Sequence, residues 1–188
     1  MPLPNKKHFS ARSLASMGLL MALAAALNFA ENLIPALPMM PPGVKLGLSN
    51  IVVAYCLFYL GRKEAAVIAV LKSGFVLLTR GVSAGAMSFC GGMLSLLVMM
   101  LAIRCTIPGK SRYFYVSIPG AVSHNIGQLL MASLLLKNTA VFYSLPVLLI
   151  AGVLMGCVTA ILLRTVLPAL RRISAAGGKQ LPSGKDES

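Results

Sequence analysis

The chain has 188 residues, of which 57% are hydrophobic and 11% are charged, and its mean hydropathy is +0.84. This composition excludes an ordinary soluble domain and predicts an all-α integral membrane protein that crosses the bilayer several times. The formal net charge of +13 would indicate a nucleic acid partner for a soluble protein. Here the basic residues stand mainly between apolar stretches, where they indicate topology, so we expect no nucleic acid partner.

The N-terminal segment, residues 1–12, is basic and precedes the first apolar stretch at residues 13–30. A basic start, an apolar middle and the small residues Ala24, Ala25 and Ala26 are also features of a cleavable signal peptide. This stretch is long enough to span a bilayer and similar stretches follow it, so an uncleaved first helix is favoured. Its basic flank puts the N-terminus in the cytoplasm.

Five further apolar stretches give six predicted transmembrane helices in a domain of residues 13–168. The second and third are short for spans, which suggests shielding by neighbours or a thin bilayer. Most basic residues fall in alternate loops, as the positive-inside rule requires when both termini are cytoplasmic. The tail, residues 169–188, is basic, and its Gly, Ser and Lys content predicts disorder. The further stretches are residues 44–61, 64–79, 81–103, 113–136 and 139–168.

Small residues recur at four-residue spacing along the first predicted helix. This spacing keeps them on one helical face, where a second helix can approach closely. The pattern predicts either a docking face for a membrane partner or an ordinary contact within the bundle. Its members are Ala11 and Ala15, followed by Gly18, Ala22 and Ala26.

Polar and ionisable side chains collect in the outer half of the predicted bundle. Such groups are costly inside a membrane unless they face protein, water or a ligand. Their convergence and excess of positive charge predict a pocket for a small anion such as a phosphate, diphosphate or carboxylate. The predicted ligand-binding residues are Glu31 and Asn32 after helix one, Lys45 and Asn50 on helix two, Lys72 on helix three, Arg80 at the next outer loop, and His124, Asn125 and Gln128 on helix five.

Most of these residues also have a structural alternative. Glu31 could pair with Lys45, Lys45 and Arg80 could extend to lipid headgroups, and His124 with Asn125 could bond neighbouring backbone. Lys72 is the strongest ligand candidate, because it lies near the middle of its span, where its ammonium group reaches water least easily.

Catalysis by this chain alone is not expected. Metal-dependent prenyl or phosphoryl transfer would need clustered carboxylates to hold magnesium, and the first aspartate of the chain is Asp186. The four cysteines are scattered singly through apolar stretches, which predicts neither a metal site nor a disulfide. We therefore expect no catalytic residue, no metal and no cofactor in the chain.

Three separated segments together resemble the Gx transporter family, which is also called heptaprenyl diphosphate synthase component I. They are PGVKLGLSNI at residues 42–51, FCGGMLSL at residues 89–96 and SHNIGQL at residues 123–129, and the likeness extends over roughly residues 10–167. That family is grouped with the S components of energy-coupling factor (ECF) transporters. The resemblance implies a six-helix, S-component-like bundle in the plasma membrane of a prokaryote.

The resemblance also implies partners and a ligand. S components bind substrate near the extracellular face and dock, through small residues of helix one, onto a transmembrane coupling protein with two cytoplasmic ATPases. The chain would then import a small vitamin, cofactor or isoprenoid-type precursor, and the partner ATPases would use the ATP.

Two other functions stay open at this stage. The second family name implies a non-catalytic membrane accessory subunit of polyprenyl diphosphate or quinone synthesis, because the chain lacks the aspartate-rich motifs of prenyl synthases. A stand-alone channel or secondary carrier is disfavoured by the short chain and by the lack of an evident internal repeat.

Overall fold

The described part of the chain forms six α-helices. The structure is a computed structural model that describes residues 11–33, 45, 47–106, 109 and 111–176. No strand occurs among these residues, which confirms the predicted all-α class with six helices. The helices are α1 (Ala11–Leu33), α2 (Asn50–Tyr59), α3 (Arg62–Arg80), α4 (Val82–Cys105), α5 (Arg112–Leu136) and α6 (Leu145–Ala176), and a 3₁₀ turn, Thr139–Ser144, precedes α6.

The second helix begins later than the sequence predicted. Helix α2 starts at Asn50, whereas the predicted stretch starts at residue 44. Gly47 has φ +88°, a left-handed conformation that an α-helix does not contain. The prediction that Lys45 lies on helix two was therefore wrong, and Lys45 belongs to the loop before it.

The last helix ends later than predicted. Helix α6 continues to Ala176, past residue 168 and into the tail that was predicted to be disordered. Residues 169–176 include Ala, Leu and Arg, which favour helix, so the chain has no local reason to stop. The rest of the tail, residues 177–188, and the predicted basic segment up to residue 10 lie outside the described residues.

The bundle buries several polar side chains within an apolar core, and its surface carries many large apolar side chains. Leu19, Leu78 and Tyr143 are 73%, 85% and 80% exposed, whereas Lys72 and Asn125 are 2% and 1% exposed. A soluble protein shows the opposite distribution of large apolar and charged side chains. The surface is that of a protein in contact with lipid.

Two described helical segments, Val82–Cys105 and Thr139–Thr165, are long and apolar enough to cross a membrane by themselves. Ala15–Glu31 and Asn50–Tyr59 are apolar but shorter. Helices α3 and α5 are longer than α2, but they carry polar side chains such as Lys72 and His124 that face the interior.

Helices α3 to α6 pack in chain order, each against the next, while α1 lies against α2 and α3. Glycines lie at the points where neighbouring helices approach each other most closely. A Cβ added to Gly127 of α5 would lie 2.9 Å from the Cα of Gly91 on α4, and one added to Gly156 of α6 would lie 2.5 Å from the Cα of Ile118 on α5. These helices therefore meet backbone to backbone, a common arrangement of small residues in membrane bundles.

Gly156→Ala should destabilise the protein by about 1–3 kcal/mol, because the new methyl group meets backbone that cannot rotate away. Gly74→Ala is the matched control, since nothing lies within 4 Å of its added Cβ. Thermal unfolding in detergent should show a lower midpoint for Gly156→Ala and an unchanged or higher one for Gly74→Ala. Equal midpoints for the two variants would contradict the close contact of α5 and α6.

Candidate ligand-binding site

A polar cavity lies at the end of the bundle where α1, α3 and α5 finish and α2 and α4 begin. The space among its lining residues is about 300 Å³, of which only about 20 Å³ is wide enough for the centre of a water molecule. The cavity is therefore narrow, and it is partly open at the surface. Its lining residues are Asn28, Glu31, Lys45, Gly47, Ser49, Lys72, Val76, Arg80, Ala84, Ser88, His124 and Gln128.

The loop before α2 closes the cavity through hydrogen bonds to two helices. The backbone N–H of Lys45 donates to Gln128 Oε1 on α5 at 3.0 Å, and the N–H of Gly47 donates to Glu31 Oε1 on α1 at 2.5 Å. The Lys45 ammonium also donates to the carbonyl and to Oδ1 of Asn28, both at 3.2 Å. The described loop residues are thus held by side chains of the cavity itself.

Gly47 is required by the geometry of this loop for two reasons. Its φ of +88° is strained for any residue with a Cβ, and a Cβ at this position would lie 2.9 Å from Cδ2 of His124. The loop backbone therefore rests directly on the imidazole ring, so His124 forms part of the floor on which the loop sits.

The hydrogen bonds also define the state of His124. Because Gln128 Oε1 accepts from Lys45, the Gln128 amide nitrogen is the group that faces His124 Nε2, at 2.9 Å. That nitrogen is only a donor, so His124 Nε2 accepts and the ring is neutral with its proton on Nδ1. The histidine contributes shape and hydrogen bonding to the cavity, but no charge.

Lys72 is the charged group with the fewest partners in the cavity. Its side chain is 2% exposed, and its ammonium makes no hydrogen bond to any described residue. It interacts electrostatically with Glu31, whose carboxylate is also shared with Lys45 and Arg80. A buried ammonium without a hydrogen-bond partner is costly, and an anion in the cavity would relieve that cost.

Lys45, in the loop outside the helices, completes the cationic lining. Partial burial and the nearby Arg80 guanidinium together lower the pKa of Lys45 to about 8, whereas Glu31 opposes the shift. Lys45 is thus cationic at neutral pH and loses its charge in mildly alkaline solution.

A family model described as heptaprenyl diphosphate synthase component I matches residues 20–166. The chain belongs to this family. A solved structure described as "Structure and mechanism of the S component of a bacterial ECF transporter" has the same fold, with 22% sequence identity and a TM-score of 0.51 over 89% of this chain and 97% of that one. No curated protein matches the chain.

The structure of this component I family member brings most of the predicted ligand residues together. Asn50 and Asn125 do not line the cavity. Asn50 donates to Ser95 Oγ on α4 at 2.8 Å, and Asn125 donates to the carbonyl of Leu148 on α6 at 2.8 Å, so both connect helices. The side chain of Asn32 lies outside the described residues. The predicted residues that do line the cavity are Glu31, Lys45, Lys72, Arg80, His124 and Gln128.

Several lining residues of the component I family member were not predicted. The sequence placed Asn28 in the polar set of the outer half, one turn before Glu31 on the same face of α1, but not among the predicted ligand residues. Ser49 and Ser88 had no such signal, since serine is common in membrane helices for packing reasons. The position of Gly47 shortly after Lys45 was a usable signal for a lining residue, but its φ angle could not be predicted from the sequence.

The predicted small-residue pattern lies on the outside of the bundle. Its four members with described side chains, Ala15, Gly18, Ala22 and Ala26, are all exposed, and nothing lies within 4 Å of a Cβ added to Gly18. The opposite face of α1 carries the buried residues of the helix, among them Asn28 and Glu31. The alternative of a contact within the bundle is therefore wrong for these four residues, while the side chain of Ala11 lies outside the described residues.

The described residues of the family member contain no group of three or more histidine, cysteine or acidic side chains that could hold a metal ion. All four cysteines are free thiols.

Gly47→Ala should displace the loop from the cavity, because it adds both a backbone penalty and a clash with His124. Gly81→Ala is a matched control, since Gly81 has φ +87° but open space around its Cβ. We expect Gly47→Ala to lose at least about 1 kcal/mol more than Gly81→Ala in thermal unfolding.

The double variant Gly47→Ala, His124→Ala separates the backbone penalty of the Gly47→Ala substitution from its clash with His124. Removing the ring should restore part of the lost stability, which gives a coupling free energy of about 0.5–3 kcal/mol. Additive effects of the two substitutions would contradict direct contact between the loop and His124.

Proposed function

We propose that the chain is the substrate-binding membrane subunit of an ECF-type, ATP-driven importer for a small anionic nutrient or cofactor precursor. The S-component fold and membership of the component I family support this proposal. The observation that carries it is Lys72, a buried ammonium without a hydrogen-bond partner among the described residues, in a cavity that also contains Lys45 and Arg80.

In the proposed topology six helices cross the plasma membrane of a prokaryote and both termini are cytoplasmic. The helix ends alternate accordingly. The cavity lies at the end that holds Arg80 and Lys45, and the opposite end of the described bundle holds Arg62, Lys63, Arg104, Arg112 and Arg164. The basic end faces the cytoplasm by the positive-inside rule, so the cavity opens toward the outside.

In this proposal the exposed small residues of α1 dock onto a transmembrane coupling protein that works with two cytoplasmic ATPases. A helix face of alanine and glycine permits close contact with another helix inside a membrane. The chain itself holds no cofactor in this scheme, and ATP is used by the partner subunits.

Ala22→Trp should break the complex with the coupling protein, because a large side chain separates the two helices. Leu154→Trp on α6 is the control, since Leu154 is 61% exposed on a different helix. Purification in mild detergent, followed by quantitative mass spectrometry, should recover coupling protein and ATPases with the native chain and with Leu154→Trp. Recovery with Ala22→Trp at the native level would contradict docking through this face.

The family description favours a second candidate, a non-catalytic accessory subunit of polyprenyl diphosphate synthesis. The same purification distinguishes the two functions. A soluble prenyl synthase without ATPases would support the accessory role, whereas a coupling protein with ATPases would support the importer.

Anion binding should weaken as the pH rises through about 8, because Lys45 then loses the positive charge that attracts the anion. The lowered pKa places the change between about 8 and the ordinary lysine value, and each pH unit above it removes up to about tenfold of the Lys45-dependent affinity. Sulfate is the probe, since its charge is constant in this range. Glu31, Lys72, Arg80 and neutral His124 face the same space.

The control for this pH dependence is Lys45→Arg, which stays charged at every pH used. Calorimetric titration with sulfate from about pH 7 to about pH 9.5 should show falling affinity for the native chain and a flatter profile for Lys45→Arg. A native profile as flat as that of the arginine variant would contradict a role of Lys45 in anion binding.

A further inference from the structure

We infer that the group recognised by the cavity is a compact dianion of the phosphate monoester type, rather than a carboxylate or a phosphodiester. This inference rests on the proposed function and narrows its ligand to one chemical class. It follows from the number of charges in the cavity, the bonds already made by its carboxylate, and its neutral hydrogen-bond donors.

The charges in the cavity do not balance. Among the described residues, the lining contains three cationic side chains, Lys45, Lys72 and Arg80, and one carboxylate, Glu31. His124 is neutral, because its Nε2 accepts from Gln128. The lining therefore has an excess of two positive charges. A monoanion would leave one of these charges uncompensated in a narrow, largely buried site, whereas a dianion balances them.

The single carboxylate is already engaged. Glu31 Oε1 accepts the N–H of Gly47, and the carboxylate interacts electrostatically with all three cations of the cavity. It does not hydrogen-bond the Lys72 ammonium, which has no hydrogen-bond partner among the described residues. Lys72 is 2% exposed and lines the cavity, so an anion in the cavity would be its partner.

Neutral donors favour a group with several oxygens. Ser49 and Ser88 are buried and line the cavity, and the Ser49 side chain makes no capping bond to α2. Two hydroxyl donors and three cations exceed what the two oxygens of a carboxylate readily accept. The three terminal oxygens of a phosphate monoester match this arrangement better, and they carry close to two negative charges at neutral pH.

A phosphodiester matches the charges of the cavity less well than a monoester does. A phosphodiester has a single negative charge, so it would leave one of the two excess positive charges of the lining uncompensated, and two of its oxygens carry substituents. We therefore exclude the phosphodiester head of an ordinary membrane lipid. A phosphate monoester could still belong to a water-soluble molecule or to phosphatidic acid.

The test uses three probes with the full-length protein in nanodiscs of zwitterionic lipid. Methyl phosphate is a dianion at about pH 7.5, because its second pKa is about 6. Dimethyl phosphate has a similar tetrahedral centre but one charge, and acetate is the carboxylate control. Calorimetry should show methyl phosphate binding at least about tenfold more tightly than either monoanion. Equal affinities, or a preference for a monoanion, would overturn the inference.

Two substitutions change the charge excess in opposite directions. Lys72→Gln lowers it to one and should reduce methyl phosphate affinity at least about tenfold, with a smaller loss for dimethyl phosphate. Glu31→Gln raises it to three while retaining an acceptor for Gly47, and should strengthen methyl phosphate binding. If Lys72→Gln is not monodisperse, Arg80→Gln at the half-buried rim provides the same change in charge. Unchanged selectivity in the variants would overturn the inference.

Nanodiscs containing phosphatidic acid identify the source of the phosphate. If this lipid competes with methyl phosphate, the monoester is a lipid head, and if it does not, the ligand is water-soluble; both outcomes keep the dianion. Failure of this inference is distinct from failure of the proposed function. A chain that copurifies with a coupling protein and ATPases but prefers acetate would remain an importer subunit with a different ligand.

Discussion

The close contact of α4 and α5 is the constraint on which the rest of the site depends. Gly91 and Gly127 bring the two helix backbones together, and a Cβ at Gly91 would collide with the His124 carbonyl and with Gln128. This contact fixes the depth and rotation of α5, so that His124 and Gln128 face the loop before α2. Gln128 then accepts from the backbone of Lys45, and His124 supports Gly47. The position of Lys45 in the loop thus depends on Gly91 and Gly127, because their lack of side chains lets α4 and α5 pack closely.

Polar groups of the interior divide into those that hold the helices together and those that line the cavity. Asn50 bonds Ser95, and the Ser95 hydroxyl in turn donates to the carbonyl of Gly120 at 2.7 Å, which links α2, α4 and α5. Asn125 joins α5 to α6. Without water inside a bilayer, such bonds satisfy groups that would otherwise be costly. Lys72 differs in kind, because its ammonium has no hydrogen-bond partner in the described bundle.

Sequence reasoning predicted the helices well and the site partly, for identifiable reasons. Apolar stretches and basic flanks depend on local composition, so four of the six helix starts were close. The miss at α2 came from the unseen φ of Gly47, and at α6 a 3₁₀ turn, Thr139–Ser144, occupies the first six residues of the predicted stretch. Lys72, Arg80 and Glu31 could be selected because charge is expensive in a membrane. An asparagine is uncharged, so its presence in a helix does not indicate in the same way that it binds a ligand. Whether Asn125 faces a cavity or Leu148 depends on the rotation of α5, which non-local packing decides.

Helix α1 belongs to two surfaces at once, which has a consequence for thermodynamic linkage. Its buried face supplies Asn28 and Glu31, which bond the loop over the cavity, and its opposite face is exposed alanine and glycine. A partner that tilted α1 on binding would alter the bond between Glu31 and Gly47, and with it the affinity of the cavity. By reciprocity, any ligand that changes this bond must change the affinity for that partner by the same factor.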